Sequence, residues 1–202
     1  MAEKKLFCSE AKLEEIAAAF GTPFHLYDEA GIRRMARQLR SAFAWCPSFR
    51  EHYAVKALPN PYILEIMREE GLGADCSSLA ELLLAEAAGM RGPEICFTSN
   101  DTPPEEFVKA RALNATINLD DITHLPFLEN CAGLPSLLSF RYNPGPQRNG
   151  GNAIIGTPEE SKYGLTHAQL LQAVEQAQAK GVQRFGLHTM VVSNELNPDY
   201  LL

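Results

Sequence analysis

The spacing of apolar residues switches repeatedly along the chain between a helical period and a strand period. Leu13, Ile16, Ala17 and Phe20 recur at helical intervals between Glu10 and Phe20, and Gly21 is placed to end that helix. Phe24–Tyr27 reads as a short strand, and Asp28 as the cap of a second amphipathic helix running to about Phe43. From there, strands are expected at Tyr53–Val55, Leu72–Asp75, Glu94–Thr98, Ala115–Leu119, Leu137–Tyr142 and Phe185–Val192. Helices are expected between the first five, at Pro61–Glu70, Leu79–Ala88, Pro104–Leu113 and Ile122–Asn130. A loop rich in Gly, Pro and Asn (residues 143–161) and a helix at His167–Lys180 precede the sixth strand. A strand and a helix every ~20 residues is the pattern of βα units around a parallel sheet, an α/β fold.

A closed eight-stranded barrel takes about 250 residues, whereas this chain has 202 and six strand candidates. Residues 1–45 read as a helical and strand preamble packing on the barrel, and residues 46–202 as a partial barrel. Asn197, Pro198 and Asp199 have the chemistry of a helix start, just before the last residue, Leu202. The expectation is an N-terminal portion of a longer protein; the alternative, a complete open sheet, leaves strand edges unpaired.

Composition narrows the class of partner. The formal net charge is −7 with acids and bases interspersed, which argues against nucleic acid and anionic membranes as partners. The five cysteines are widely spaced without a CxxC pair, as expected of reduced thiols, and no metal is expected. The N-terminus carries charges throughout, unlike a signal peptide, and no stretch approaches the roughly 18 apolar residues of a membrane span. A cytoplasmic protein is the expectation.

Several residues could carry chemistry. Lys56 ends the run HYAVKALPNP, where a strand is halted by Pro59 and Pro61. A primary amine at the C-terminal end of a parallel strand can condense with an aldehyde, although a solvated lysine capping a strand has the same spacing. Asp75, in GLGADCSSLAEL, shares a face with Gly73 and Ser77. Ser78 and Glu81 form a capping box, which accounts for Glu81 without a catalytic role. Arg141 lies inside the apolar run LLSFRYNPG, so it pairs with an anion, faces a polar cavity or snorkels at the strand end. Lys162, in SKYG, is a surface charge or the partner of a buried acid. His188, Met190 and Val192 share one face of the sixth strand, and His188 is a core or a catalytic histidine. Ser193 and Asn194 follow at its tip with groups able to bind phosphate.

Taken in order, HYAVKALPNP, GLGADCSSLAELLLA, FTSNDTP, INLDD, FRYNPG, SKYGLT and GLHTMVVSNE resemble the fold-type III pyridoxal-phosphate decarboxylases, most closely diaminopimelate decarboxylase, over essentially the whole chain. The resemblance implies an alanine-racemase-like (β/α)8 TIM barrel, here incomplete, with pyridoxal 5'-phosphate as cofactor and an amino acid as substrate. It implies decarboxylation of meso-diaminopimelate to L-lysine in lysine biosynthesis and a homodimer in the full-length form. The alternatives are a related decarboxylase or racemase acting on another amino acid or polyamine precursor, and a non-catalytic relative. Lys56 matches the Schiff-base lysine, Asp75 an aspartate near the cofactor, Arg141 an arginine facing the site, and Ser193 a serine contacting the phosphate. The family's sixth-strand pattern HxHxGS is broken, with Met190 at the ring-stacking histidine and Val192 at the glycine; His188 is left to compensate. The family's later phosphate loop, its acid beside the pyridine nitrogen and its C-terminal β-domain have no counterpart in these residues, so the chain is expected not to turn over substrate unaided.

Overall fold

The structure is a computed structural model describing residues 6–144 and 163–190. The chain divides into two compact units, Met1–Phe49 and Arg50–Leu202. The first holds α1 (Glu10–Phe20) and α2 (Glu29–Ala42). Ser9 and Asp28 cap them by accepting the backbone N–H of Lys12 and Gly31, and Gly21 (φ 78°) ends α1 as the sequence indicates. Residues 24–27 do not form the expected strand. A strand requires a ladder partner, and the described residues of this unit contain no other strand.

The second unit alternates β1 (His52–Ala54), α3 (Pro61–Glu69), β2 (Gly73–Cys76), α4 (Leu79–Ala87), β3 (Ile95–Ser99), α5 (Pro104–Ala112), β4 (Thr116–Leu119), α6 (His124–Ala132), β5 (Leu137–Arg141), α7 (His167–Ala179) and β6 (Arg184–His188). The strands form one parallel sheet in sequential order, β1 to β6. A doubly wound sheet reverses its order at a switch point; this one advances by one strand per helix, as a (β/α)8 barrel does, and is that barrel in incomplete form.

Local chemistry sets the boundaries. Asn60, Ser78 and Thr166 cap α3, α4 and α7 with side-chain oxygens, and proline occupies the first turn of α3 and α5. The α6 helix starts two residues later than Ile122, because Asp121 accepts the Thr123 N–H (2.8 Å) and hydroxyl (2.6 Å). That local bond offers the backbone an alternative to the first helical turn. The sixth strand ends at His188 rather than running to Val192; residues 191 and 192 lie outside the described residues, as do residues 145–161 of the expected loop, Lys162 and the expected helix start at Asn197.

The strand period of two sorts the side chains by chemistry. Ala74, Cys76, Ile95, Phe97, Ile117, Leu119, Leu138 and Phe140 point to one face and join Leu64, Leu82, Phe107, Leu125, Leu128 and Ala173 from the helices in a fully buried core. The other face, toward the barrel interior, carries Asp75, Cys96, Thr98, Asn118, Asp120, Ser139, Arg141 and His188. This polar face is where chemistry can sit. Its packing is tight at Gly186, where a Cβ would fall 2.9 Å from both Cβ and Oγ of Ser139. Gly186→Ala is therefore expected to lower stability by about 1–3 kcal/mol, read from the urea midpoint, because backbone on both strands must shift.

Candidate active site

The polar face gathers its functional groups at the C-terminal ends of the strands, in two clusters. The first surrounds the end of β1. Lys56 sits in a 3-10 turn, Val55–Ala57, that follows β1 directly, and its exposed amine makes no hydrogen bond or ion pair to a described residue. Val55 beside it is fully buried and holds the turn against the core. On the neighbouring strand, Asp75 pairs in register with Ala54, two residues before Lys56. Burial pushes the Asp75 carboxyl above its ordinary value, opposed by the positive charges of His52 and Lys56 and reinforced by Glu81 and Glu51.

A carboxyl whose pKa is raised by folding binds its proton more tightly in the folded than in the unfolded chain. Its contribution is therefore favourable below the ordinary value of 3.8 and is lost as pH rises through the raised one. Asp75→Asn, which removes the ionisation, is expected to raise the thermal midpoint at about pH 7 and leave it unchanged at about pH 3. A melt series over pH checks this; a midpoint lowered at neutral pH would mean that the charge of Asp75 stabilises the fold.

The loop after β2 is pinned from below. Ser78 Oγ accepts the Glu81 N–H at the start of α4, as the capping box requires. The Glu81 carboxylate, however, turns to the Ser77 N–H (2.8 Å) and hydroxyl (3.1 Å) rather than to the Ser78 N–H. The buried Glu106 on α5 accepts the Leu79 N–H at 2.9 Å, a contact between elements that spacing along the chain does not reveal. Cys96, on the same inner face, is a free thiol pushed up to about 11, mainly by burial.

The second cluster joins β4, β5 and β6. Arg141 is buried, which excludes snorkelling at the strand end; it pairs with an anion, its Nη1 donating to Asp120 Oδ1 at 2.9 Å, on the polar face toward the barrel interior. The Arg141 guanidinium also lies 5.0 Å from the centre of the Tyr163 ring. Tyr163 is brought there by a strap: the Gly164 N–H donates to the Asp120 carbonyl, and the Leu165 N–H to the Arg141 carbonyl. His188 pairs in register with Arg141 and accepts at Nδ1 from the Asn118 amide (3.0 Å), whose oxygen accepts from Ser139 Oγ (2.8 Å). Burial and Arg141 hold the His188 imidazole below its ordinary value, opposed by Asp120.

Lys56 and Asp75 are thus brought together, as are Arg141 and His188. The groups acting on Asp75 and those acting on His188 have no member in common. Met190 lies beyond the end of β6 and is 48% exposed. Ser193 lies outside the described residues. Sequence reasoning missed Asp120, Asn118 and Ser139; an acid closing the apolar run INLD was a usable signal for the first, whereas the other two depend on register between strands.

An exposed amine, a carboxyl at hand and a lined polar face can hold an aldehyde cofactor, and the comparisons with known proteins name one. Residues 29–199 match the family described as pyridoxal-dependent decarboxylase, pyridoxal binding domain. The chain belongs to this family. Its cofactor is pyridoxal phosphate, and the exposed amine of Lys56 at the barrel mouth fits it. Protein TabA of Pseudomonas amygdali pv. tabaci is 40% identical over 185 residues, 92% of this chain and 43% of that protein. The diaminopimelate decarboxylase of Methanothermobacter thermautotrophicus is 31% identical over 195 residues, 96% of this chain and 46% of that protein. A crystal structure of diaminopimelate decarboxylase from Helicobacter pylori complexed with L-lysine superposes with a TM-score of 0.79 at 27% identity, over 92% of this chain and 48% of that one. The chain spans less than half the length of these relatives.

Proposed function

We propose that the chain is the cofactor-binding portion of a pyridoxal-phosphate-dependent carboxy-lyase that converts meso-diaminopimelate to L-lysine and carbon dioxide. The observation that carries the reading is the exposed Lys56 amine just after the C-terminal end of β1, without a partner among the described residues, in a chain whose family is a pyridoxal-binding domain. Bound pyridoxal phosphate supplies an aldehyde that condenses with amines and a ring that accepts the electron pair left when a carboxylate departs. Lys56 would hold the cofactor through its side-chain amine. Asp75, whose carboxyl burial pushes above its ordinary value, stands on the strand next to that amine. Arg141, fixed by Asp120, lends positive charge to the barrel interior, and His188 offers a ring nitrogen on the same face. Ser193 is assigned to the phosphate by its place in the family pattern. Substrate groups and a dimer partner are supplied by the longer form, which acts in the cytoplasm.

The test is release of carbon dioxide and L-lysine from meso-diaminopimelate by the full-length form, beside a panel of other amino acids. The 202-residue chain alone is expected to release none, and measurable release by it would refute that part of the proposal. A second reading keeps the decarboxylase chemistry of the family and takes a different amino acid as substrate. Turnover of another member of the panel in preference to meso-diaminopimelate would select it. Cofactor trapped on Lys56 with no turnover of any member would instead mark a non-catalytic relative.

A further inference from the structure

Asn118 and Ser139 stand opposite each other across β4 and β5, and Ser139 stands opposite Gly186 across β5 and β6. Both side chains are buried, 2% and 7% exposed, where an unsatisfied polar group would cost about 1–3 kcal/mol. They satisfy one another in a relay with one direction: Ser139 Oγ donates to Asn118 Oδ1 at 2.8 Å, and Asn118 Nδ2 donates to His188 Nδ1 at 3.0 Å. An amide nitrogen cannot accept a hydrogen bond, so His188 Nδ1 presents its lone pair and the neutral ring carries its proton on Nε2. Gly186 belongs to the same construction, since any Cβ there would displace the Ser139 hydroxyl that starts the relay.

We propose that Asn118 is a positioning residue that fixes His188 as the Nε2–H tautomer, so that β6 presents one N–H donor, suited to an oxygen of the cofactor or substrate, at the barrel mouth. The proposal rests on His188 belonging to the cofactor site, and it gives weight to the break in the sixth-strand pattern. Met190 stands where the family has its second histidine and brings no N–H, so the proton of His188 is the imidazole donor left to this strand. The charged groups acting on the ring are Arg141, which disfavours a second ring proton, and Asp120, which favours one; burial and Arg141 together prevail.

The proposal is tested on the full chain labelled with 15N, without cofactor, by long-range proton–nitrogen correlation of the imidazole rings, with His188→Gln assigning the signals. The unsubstituted chain is expected to show Nε2 protonated and Nδ1 bare. Asn118→Asp turns the donor into an acceptor, moving the proton to Nδ1 and raising the titration midpoint of His188 by about 1–3 units. Ser139→Ala, a milder change, frees the amide to turn over and is expected to leave a mixture of the two tautomers. Circular dichroism confirms that each variant is folded, and Ser139→Ala decides if Asn118→Asp is not. A protonated Nδ1 in the unsubstituted chain, or a ring indifferent to the substitutions, overturns the proposal. Because the ring protons are read directly, the result is separate from whether the protein decarboxylates anything.

Discussion

Asp120→Ala is expected to lower the stability of the chain by about 3–5 kcal/mol, most of it the penalty of leaving Arg141 buried without an anion. Asp120 is 3% exposed and Arg141 8%, and their contact of 2.9 Å is shielded from the water that weakens surface pairs. Screening and side-chain entropy hold an exposed pair such as Lys12–Glu15 to about 0–1 kcal/mol. Tyr163, 5.0 Å from the guanidinium, offers a ring face but no counter-charge. Urea denaturation of Asp120→Ala, Arg141→Met and the double variant measures the coupling. The double variant is expected to lose less than the two single losses added together, since removing both charges leaves none buried alone. A loss below about 1 kcal/mol for Asp120→Ala would mean that water reaches the pair.

Lys56→Ala is expected to abolish covalent retention of pyridoxal phosphate. After incubation with cofactor and reduction by borohydride, the unsubstituted chain should carry the added mass on the peptide containing Lys56, and the variant should carry none. Because Lys56 is exposed, on a turn anchored by the buried Val55, the substitution should leave stability within about 0.5 kcal/mol. Lys56→Arg should not restore retention, since a guanidinium stays protonated near neutral pH and its nitrogens do not attack an aldehyde. Added mass on another lysine, or mass that persists in Lys56→Ala, would remove Lys56 from the role proposed for it.

Legibility in the sequence followed the range of the interactions. Two helix starts were readable because a cap acts within three residues: Asp28 and Ser78 each accept a backbone N–H from the first turn they precede. The parallel strands were readable because positions such as Leu138 and Phe140, which the helices cover, must be apolar. Phe24–Tyr27 has the same local pattern and forms no strand, since pairing requires a second strand that residue propensity cannot provide. The end of β6 at His188 was missed for a related reason: Leu187 and Met190 are apolar yet exposed, so the pattern ran past the ladder.

The sequence by itself determined the α/β repeat, the incomplete barrel, the family and the position of Lys56 after the first strand, all properties of one segment or of segments in order. Only the tertiary structure decided what surrounds the site. It chose Asp120 as the anion for Arg141, turned Glu81 toward Ser77, brought Glu106 to the start of α4 and linked Ser139 through Asn118 to His188. Apart from the Glu81 turn, these contacts join residues 21 to 70 positions apart. They exist because the register of neighbouring strands and the packing of neighbouring helices bring such residues together, and buried polar groups then take the partners that geometry leaves them.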